Sequence, residues 1–146
     1  MTSRRADCER IAGHAAELLR SRFGDPGEVT RKGNPELVFD VVTEVDVLAE
    51  QRVLAGIAQC APDALVLAEE GGLTRPDGTR VEQDVDPAAV DELWIVDPLD
   101  GTINFAHGIP HFAVSVACWR AGQPVAGAIV ESGLPFQITK SASLPA

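Results

Sequence analysis

Two short apolar runs in this chain each break off in carboxylates. Ala64–Ala68 runs into Glu69-Glu70-Gly71-Gly72, and Leu93–Val96 runs into Asp97-Pro98-Leu99-Asp100-Gly101-Thr102. Apolar runs of this length, bounded by turn residues, read as buried strands. The charge that begins where the burial ends is the strongest constraint in the sequence, because carboxylates gathered at low dielectric repel one another severely.

The remaining elements follow from periodicity and punctuation. From Arg4 to Phe23, Cys8, Ile11, Ala15, Leu18 and Leu19 recur at three- and four-residue steps between charged residues, and Gly24 with Pro26 closes the segment. That is an amphipathic helix whose role is packing. Gly27 to Asp40, rich in Gly, Pro, Asn and charge, reads as an irregular loop leading into a short extended run, Phe39 to Val42. Thr43 is placed to cap a second helix running through Gln59. Asp46 completes a capping box, and Val47, Leu54, Ile57 and Ala58 form one face. Residues 74–92 read as an acidic surface excursion with a tight turn at Asp77-Gly78. Phe112 to Trp119 and Val125 to Val130 are β-rich and joined by Arg120-Ala121-Gly122-Gln123, the link of a hairpin. Ser132 to Ala146 shows no usable periodicity.

If the two acid-tipped strands lie side by side and the second helix starts at the same sheet edge, Asp46, Glu69, Glu70, Asp97 and Asp100 converge. Such a cluster is relieved by protonation or by cations, and hard oxygen donors without His or Cys favour magnesium, manganese or calcium over zinc. Pro98 helps the chain leave its strand, and Asp97 and Asp100 flank the Leu99 carbonyl as a third oxygen. Gly101 permits a backbone turn, and a helix beginning near Thr102 would turn its free N–H groups toward an anion. Each piece also has a plainer reading: a hairpin at Asp100-Gly101, a solvated strand end at Glu69-Glu70, and simple capping by Asp46. His107 and His111 have the spacing of a helical metal pair, but Gly108 and Pro110 lie between them and favour a loop. His14 and Lys32 read as ordinary surface groups.

Composition narrows the partners. Twenty-two acidic against twelve basic residues give a formal charge of −10, which repels nucleic acid and an anionic membrane alike. Cys8, Cys60 and Cys118 are widely spaced and form no C-x-x-C pair, so neither a disulfide framework nor a zinc site is indicated and a reducing cytoplasm is the simplest setting. No signal peptide and no membrane-spanning run is apparent.

The stretch Trp94-Ile-Val-Asp-Pro-Leu-Asp-Gly-Thr-Ile-Asn-Phe-Ala-His-Gly-Ile-Pro-His-Phe closely resembles the signature of the inositol monophosphatase family of magnesium-dependent sugar phosphatases. Upstream, Asp40-Val-Val-Thr-Glu-Val-Asp46 resembles the family's D-x-V-T-x-x-D segment, and Ala68-Glu-Glu-Gly71 its G-E-E motif. The resemblance implies an α/β chain of α+β layers, with two helices on a largely antiparallel sheet, as in the N-terminal domain of the inositol monophosphatase and fructose-bisphosphatase-like fold. It further implies that Glu69, Asp97 and the Leu99 carbonyl hold one Mg2+ and that Asp97 and Asp100 hold a second, with Glu70 in support. Thr102, backed by Asp46, would activate water, and the Gly101 and Thr102 N–H groups would hold phosphate. Lys32 resembles a loop lysine near the metals.

The implied reaction is hydrolysis of a small phosphorylated polyol or sugar, inositol monophosphate foremost, by two-metal activation of water. Fructose-bisphosphatase-, histidinol-phosphatase- and 3′-nucleotidase-like activities are the alternatives within the enzyme class, and a non-catalytic metal-binding remnant or partner of a full-length relative is the alternative outside it. Family members are commonly dimers, so a homodimer is implied too. No W-D-x-A-A-G motif of the family's second domain is found. The expected organisation is therefore a metal-binding domain over 1–131, a divergent tail over 132–146 and no C-terminal substrate domain, with weak or absent activity for the chain alone.

Overall fold

The computed structural model describes residues 2–32 and 41–131, and the backbone of 137–143. Helix α1 (Arg4–Arg22) starts where the Ala6 N–H donates to the Ser3 hydroxyl at 3.2 Å. It buries Cys8, Ile11, Ala15 and Leu19 as the periodicity predicts, and His14 stays exposed. Asp7, 1% exposed, lies on the buried face as well. It is tolerated there because the Thr2 hydroxyl (2.8 Å) and the Arg4 guanidinium (3.0 Å) donate to it.

Within the stretch read as an irregular loop, β1 (Val29–Arg31) pairs antiparallel with β2 (Val41–Thr43). Residues 33–40, including Phe39 and Asp40, lie outside the described residues. Thr43 caps α2 (Glu44–Ala58) with the predicted capping box. Of the apolar face expected for α2, Leu54 and Ile57 are buried but Val47 is not. Val47 is 46% exposed, and Val45, Ala49, Val53 and Ile57 are buried together with Asp46 and Glu50. Two acids that find polar partners on the inner side defeat a face drawn through apolar residues alone.

The larger sheet has the order β4-β3-β5-β6-β7-β8, formed by Gly72–Thr74, Leu65–Ala68, Leu93–Asp100, Ala113–Arg120, Gln123–Glu131 and Gln137–Ser143. β3 and β5 are parallel, and the other neighbours in it are antiparallel. The acid-tipped strands are therefore adjacent, the arrangement that convergence of their acids presupposes. Helix α1 packs on β6 and β7 and alongside α2, which lies against β5. Trp94, Val66, Val114 and Val116 face these helices in the core.

Strand β4 and the edge strand β8 were not foreseen. β4 is too short to show alternation, and β8 is recognisable only through its pairing with β7. The β6–β7 link is the expected hairpin, with Ala121 at φ 46° and Gly122 at φ 73° between paired Arg120 and Gln123. Two consecutive positive φ values match the twist of the flanking strands. The Asp77-Gly78 turn also forms, closed by the Gly78 N–H on Arg75 O at 2.9 Å.

Candidate active site

The parallel register sets the site. Val66 lies opposite Trp94 and Ala68 opposite Val96, so the next residues on each strand, Glu69 and Asp97, leave the apolar layer side by side. β5 continues beyond Asp97 with a shift of register against β6 between Asp97 and Asp100. Pro98, which has no N–H to give to a ladder, sits in this irregularity. The Leu99 N–H turns back onto Asp97 Oδ1 at 3.2 Å. Asp100 is exposed and Leu99 is buried.

Gly101 then reverses the chain into α3 (Thr102–Ala106) with φ 88°. The plainer reading of Asp100-Gly101 as a hairpin is thereby replaced by a strand-to-helix turn. Only glycine fits at this position. Its φ is left-handed, and a Cβ there would stand 3.0 Å from the His111 carbonyl oxygen and 3.3 Å from Phe112 Cα. The Phe105 N–H is the first of the short helix to bond back, onto Gly101 O at 3.0 Å, so the preceding N–H groups lie ahead of the helical ladder. Phe105 anchors the turn, packing edge-on against Phe112 (5.0 Å) and against Phe23 of the α1 end (6.0 Å).

Asp46 arrives from the first turn of α2 and is 3% exposed. Its Oδ2 accepts the Thr43 N–H at 2.7 Å and the Thr43 hydroxyl. Its Oδ1 faces Thr102 Oγ1 at 2.7 Å, while the same hydroxyl lies 3.2 Å from the Leu99 carbonyl. Capping and site-building are therefore one function of Asp46: one oxygen holds the helix start and the other holds Thr102.

Asp97 is the electrostatic centre. Burial, then the neighbouring Glu69 and Asp100 charges and more distantly Asp46, push its carboxyl up to about 6. Three of the other four acids singled out in the sequence thus act on Asp97. Glu70 is not among the charges that act on Asp97, and its Oε1 is held with that of Glu69 by the Lys32 ammonium, which lies 3.0 Å from Glu69. Burial works against the lysine's charge, but hydrogen bonds to Glu70 and Glu69 outweigh it and raise its pKa.

Lys32, Glu69, Leu99, Asp100, Gly101 and Thr102 line one depression of about 380 Å3. A second, of about 400 Å3, adjoins it through Asp100, Gly101 and Asn104 and is bounded by His111 and Phe112. His107 and His111 share no helix, since α3 ends at Ala106. His107 Nδ1 lies 2.8 Å from Ile103 O, and the His111 carbonyl accepts from the Asn104 amide at 2.8 Å.

Among the described residues, no three His, Cys, Asp or Glu side chains stand close enough together to grip an ion as they are placed. The donor set is nonetheless all oxygen and carries surplus negative charge, visible both in the raised Asp97 carboxyl and in the lysine drawn onto Glu69. Those are the properties that suit a hard divalent cation. The sequence reading missed Glu50, whose carboxylate accepts the Gly71 N–H at 3.2 Å just past Glu69-Glu70. Its one signal was its place four residues after Asp46, on the same helix face.

The sequence profile of the inositol monophosphatase family matches residues 2–139. This chain belongs to that family. It is 37% identical to phosphatase IMPL1, chloroplastic, of Arabidopsis thaliana over 123 residues, 84% of this chain and 29% of that relative. It is 36% identical to inositol-1-monophosphatase SuhB of Mycobacterium tuberculosis over 138 residues, 87% of this chain and 44% of that protein. The crystal structure of extragenic suppressor protein SuhB from Bartonella henselae superposes with a TM-score of 0.69 at 33% identity, covering 87% of this chain and 43% of that one. The chain thus spans less than half the length of these relatives, and its α+β layers are those of the family fold. Among the described residues, no helix is long and apolar enough to cross a membrane.

Proposed function

We propose that this member of the inositol monophosphatase family supplies the metal-binding part of a site that hydrolyses a small phosphate monoester, inositol monophosphate or a similar polyol phosphate. The observation that carries the reading is the Thr102 hydroxyl, 2.7 Å from a buried carboxylate that lies 56 positions away in sequence and beside the carbonyl of Leu99. The similarity to a protein named inositol-1-monophosphatase supports the substrate class.

In this reading Glu69, Asp97, Asp100 and the Leu99 carbonyl would hold magnesium. When bound, the ions supply charge neutralisation and a more acidic water. Thr102 has one proton and two lone pairs. With its proton directed to Asp46 Oδ1, it presents a lone pair to a water O–H and so aims the water oxygen outward, toward a phosphorus. As that water attacks, its proton passes to Thr102 Oγ1 and the threonine proton moves toward Asp46. The Thr43 N–H and hydroxyl, fixed on the other Asp46 oxygen, keep the acceptor in place. The N–H groups at Gly101 and Thr102 would orient the phosphoryl oxygens.

We assign the metal-binding domain to residues 1–131, with β8 as an added edge strand. The free Cys8, Cys60 and Cys118 support a reducing, cytoplasmic setting. A second reading is a non-catalytic metal-binding partner of a full-length relative, in keeping with the chain's spanning less than half the length of the relatives it matches.

The deciding experiment is magnesium-dependent phosphate release from inositol 1-phosphate by the purified chain, with Asp97→Asn as control. Release that disappears in the variant supports the phosphatase reading, and release that persists unchanged overturns the assigned site. A folded chain that gains thermal stability with magnesium but releases no phosphate supports the second reading.

A further inference from the structure

Glu69, the carboxylate that opens the site, has an exposed side chain (54%) on a three-residue turn between β3 and β4. An exposed acid at a strand end has no packing of its own to fix its direction. Lys32 holds the carboxylate itself at 3.0 Å, and what fixes the backbone of the turn comes from another element. Glu50 reaches across from α2, 9% exposed, and its Oε2 accepts the Gly71 N–H at 3.2 Å. The Glu70 backbone also works against the effect of burial on this carboxylate. A Cβ built on Gly71 would run into Glu50 Oε1, so any larger residue there displaces the Glu50 carboxylate. The turn must come this close for its N–H groups to be met.

Asp46 and Glu50 are one helical turn apart on the buried side of α2. The first holds Thr102 and the second holds the segment carrying Glu69, so one helix face sets the spacing between the two halves of the site. We propose that Glu50 is a positioning residue for Glu69: by capping the 69–71 turn from α2 it directs the Glu69 carboxylate toward Asp97. The proposal rests on the metal-binding reading given above. Glu50 itself touches neither ion nor substrate.

The test uses Mn2+ as a paramagnetic probe for a hard cation, with binding read by electron paramagnetic resonance and folding by urea titration in EDTA. Glu50→Ala should bind Mn2+ about ten- to a hundredfold more weakly than the parent, the usual consequence of losing a group that orients a ligand. Glu50→Gln keeps a carbonyl oxygen for the Gly71 N–H and should stay within about threefold of the parent. Gly71→Ala forces the two apart from the other side and should reproduce the Glu50→Ala loss, which keeps the test decisive if Glu50→Ala does not fold.

A Glu50→Ala chain with a lowered urea midpoint but parental Mn2+ affinity would overturn the proposal and leave the metal site standing, provided Asp97→Asn abolishes binding. Equal loss in Glu50→Ala and Glu50→Gln would also overturn it, since the hydrogen bond would then not be the cause. Failure of the parent chain to bind Mn2+ would sink the metal-binding reading and this proposal together.

Discussion

Ala68 and Val96 are the last partners of the parallel pair β3–β5, and the residue after each is an acid. Glu69 and Asp97 therefore face the same solvent boundary, and the burial that stabilises the strands raises the Asp97 carboxyl. The site and the core compete at this point, which makes the cost of the site measurable.

Asp97 holds its proton up to about pH 6 in the folded chain against an ordinary value of 3.8. Between those values the folded state binds more protons than the unfolded one, so this contribution stabilises at low pH and is lost as pH rises through about 6. In EDTA, the melting temperature of the wild-type chain should fall between pH 5 and pH 7. Asp97→Asn should flatten that fall and, at pH 7, melt no lower than wild type while losing the stabilisation by magnesium. Calorimetry at the two pH values, with and without magnesium, checks both statements.

Gly101→Ala combines a left-handed φ of 88° with a 3.0 Å approach to the His111 carbonyl. The conformational part alone costs about 1–2 kcal/mol, and the clash adds to it. Gly108, at φ 68° with nothing within 4 Å of a built Cβ, isolates the first term. Urea denaturation should show the larger loss at Gly101 and a loss of about 1 kcal/mol for Gly108→Ala.

Thr102→Val preserves shape but removes the hydroxyl between Asp46 and the Leu99 carbonyl. A buried carboxylate oxygen left without its donor costs roughly 1–3 kcal/mol, and Thr102→Ser should restore most of it. If the phosphate-release assay is positive, Val should lower the rate by about a hundredfold or more while Ser retains activity. Parental turnover in the Val variant would remove Thr102 from the proton path.

Far from the site, Arg4 binds Asp7 (3.0 Å) and Glu92 (3.0 Å) and stacks over Trp94 (5.8 Å). Arg4→Met should destabilise the chain by about 1–3 kcal/mol, because it removes a charged donor from the buried Asp7 and leaves it the Thr2 hydroxyl and the more distant Arg10. The exposed pair Arg5–Glu9 offers the contrast, and Arg5→Ala should change stability by less than about 0.5 kcal/mol. Urea midpoints of the two variants decide the matter.

Helix α1, the Thr43 capping box, the two acid-tipped strands, the β6–β7 hairpin and the motif from Asp97 to Thr102 were all legible in the sequence. Each rests on contacts between residues close in the chain: periodicity, a cap three residues long, a turn, a strand that ends. The sequence also pointed to the acids of the candidate site, because unsatisfied charge at the end of an apolar run demands a partner whatever the fold.

Partnership across the chain was decided only in three dimensions. That β3 and β5 are adjacent and parallel, that Asp46 meets Thr102 rather than solvent, that Lys32 falls on Glu69, and that Glu50 holds the Gly71 turn all depend on how α2 lies against the sheet. β4 and β8 exist as strands only because a neighbour supplies their hydrogen bonds. Burial of Asp7, Asp46 and Glu50 reverses the ordinary preference of those side chains. The reason is that a buried carboxylate is stable only with donors brought to it, and for Asp46 and Glu50 those donors include residues supplied by distant stretches of the chain.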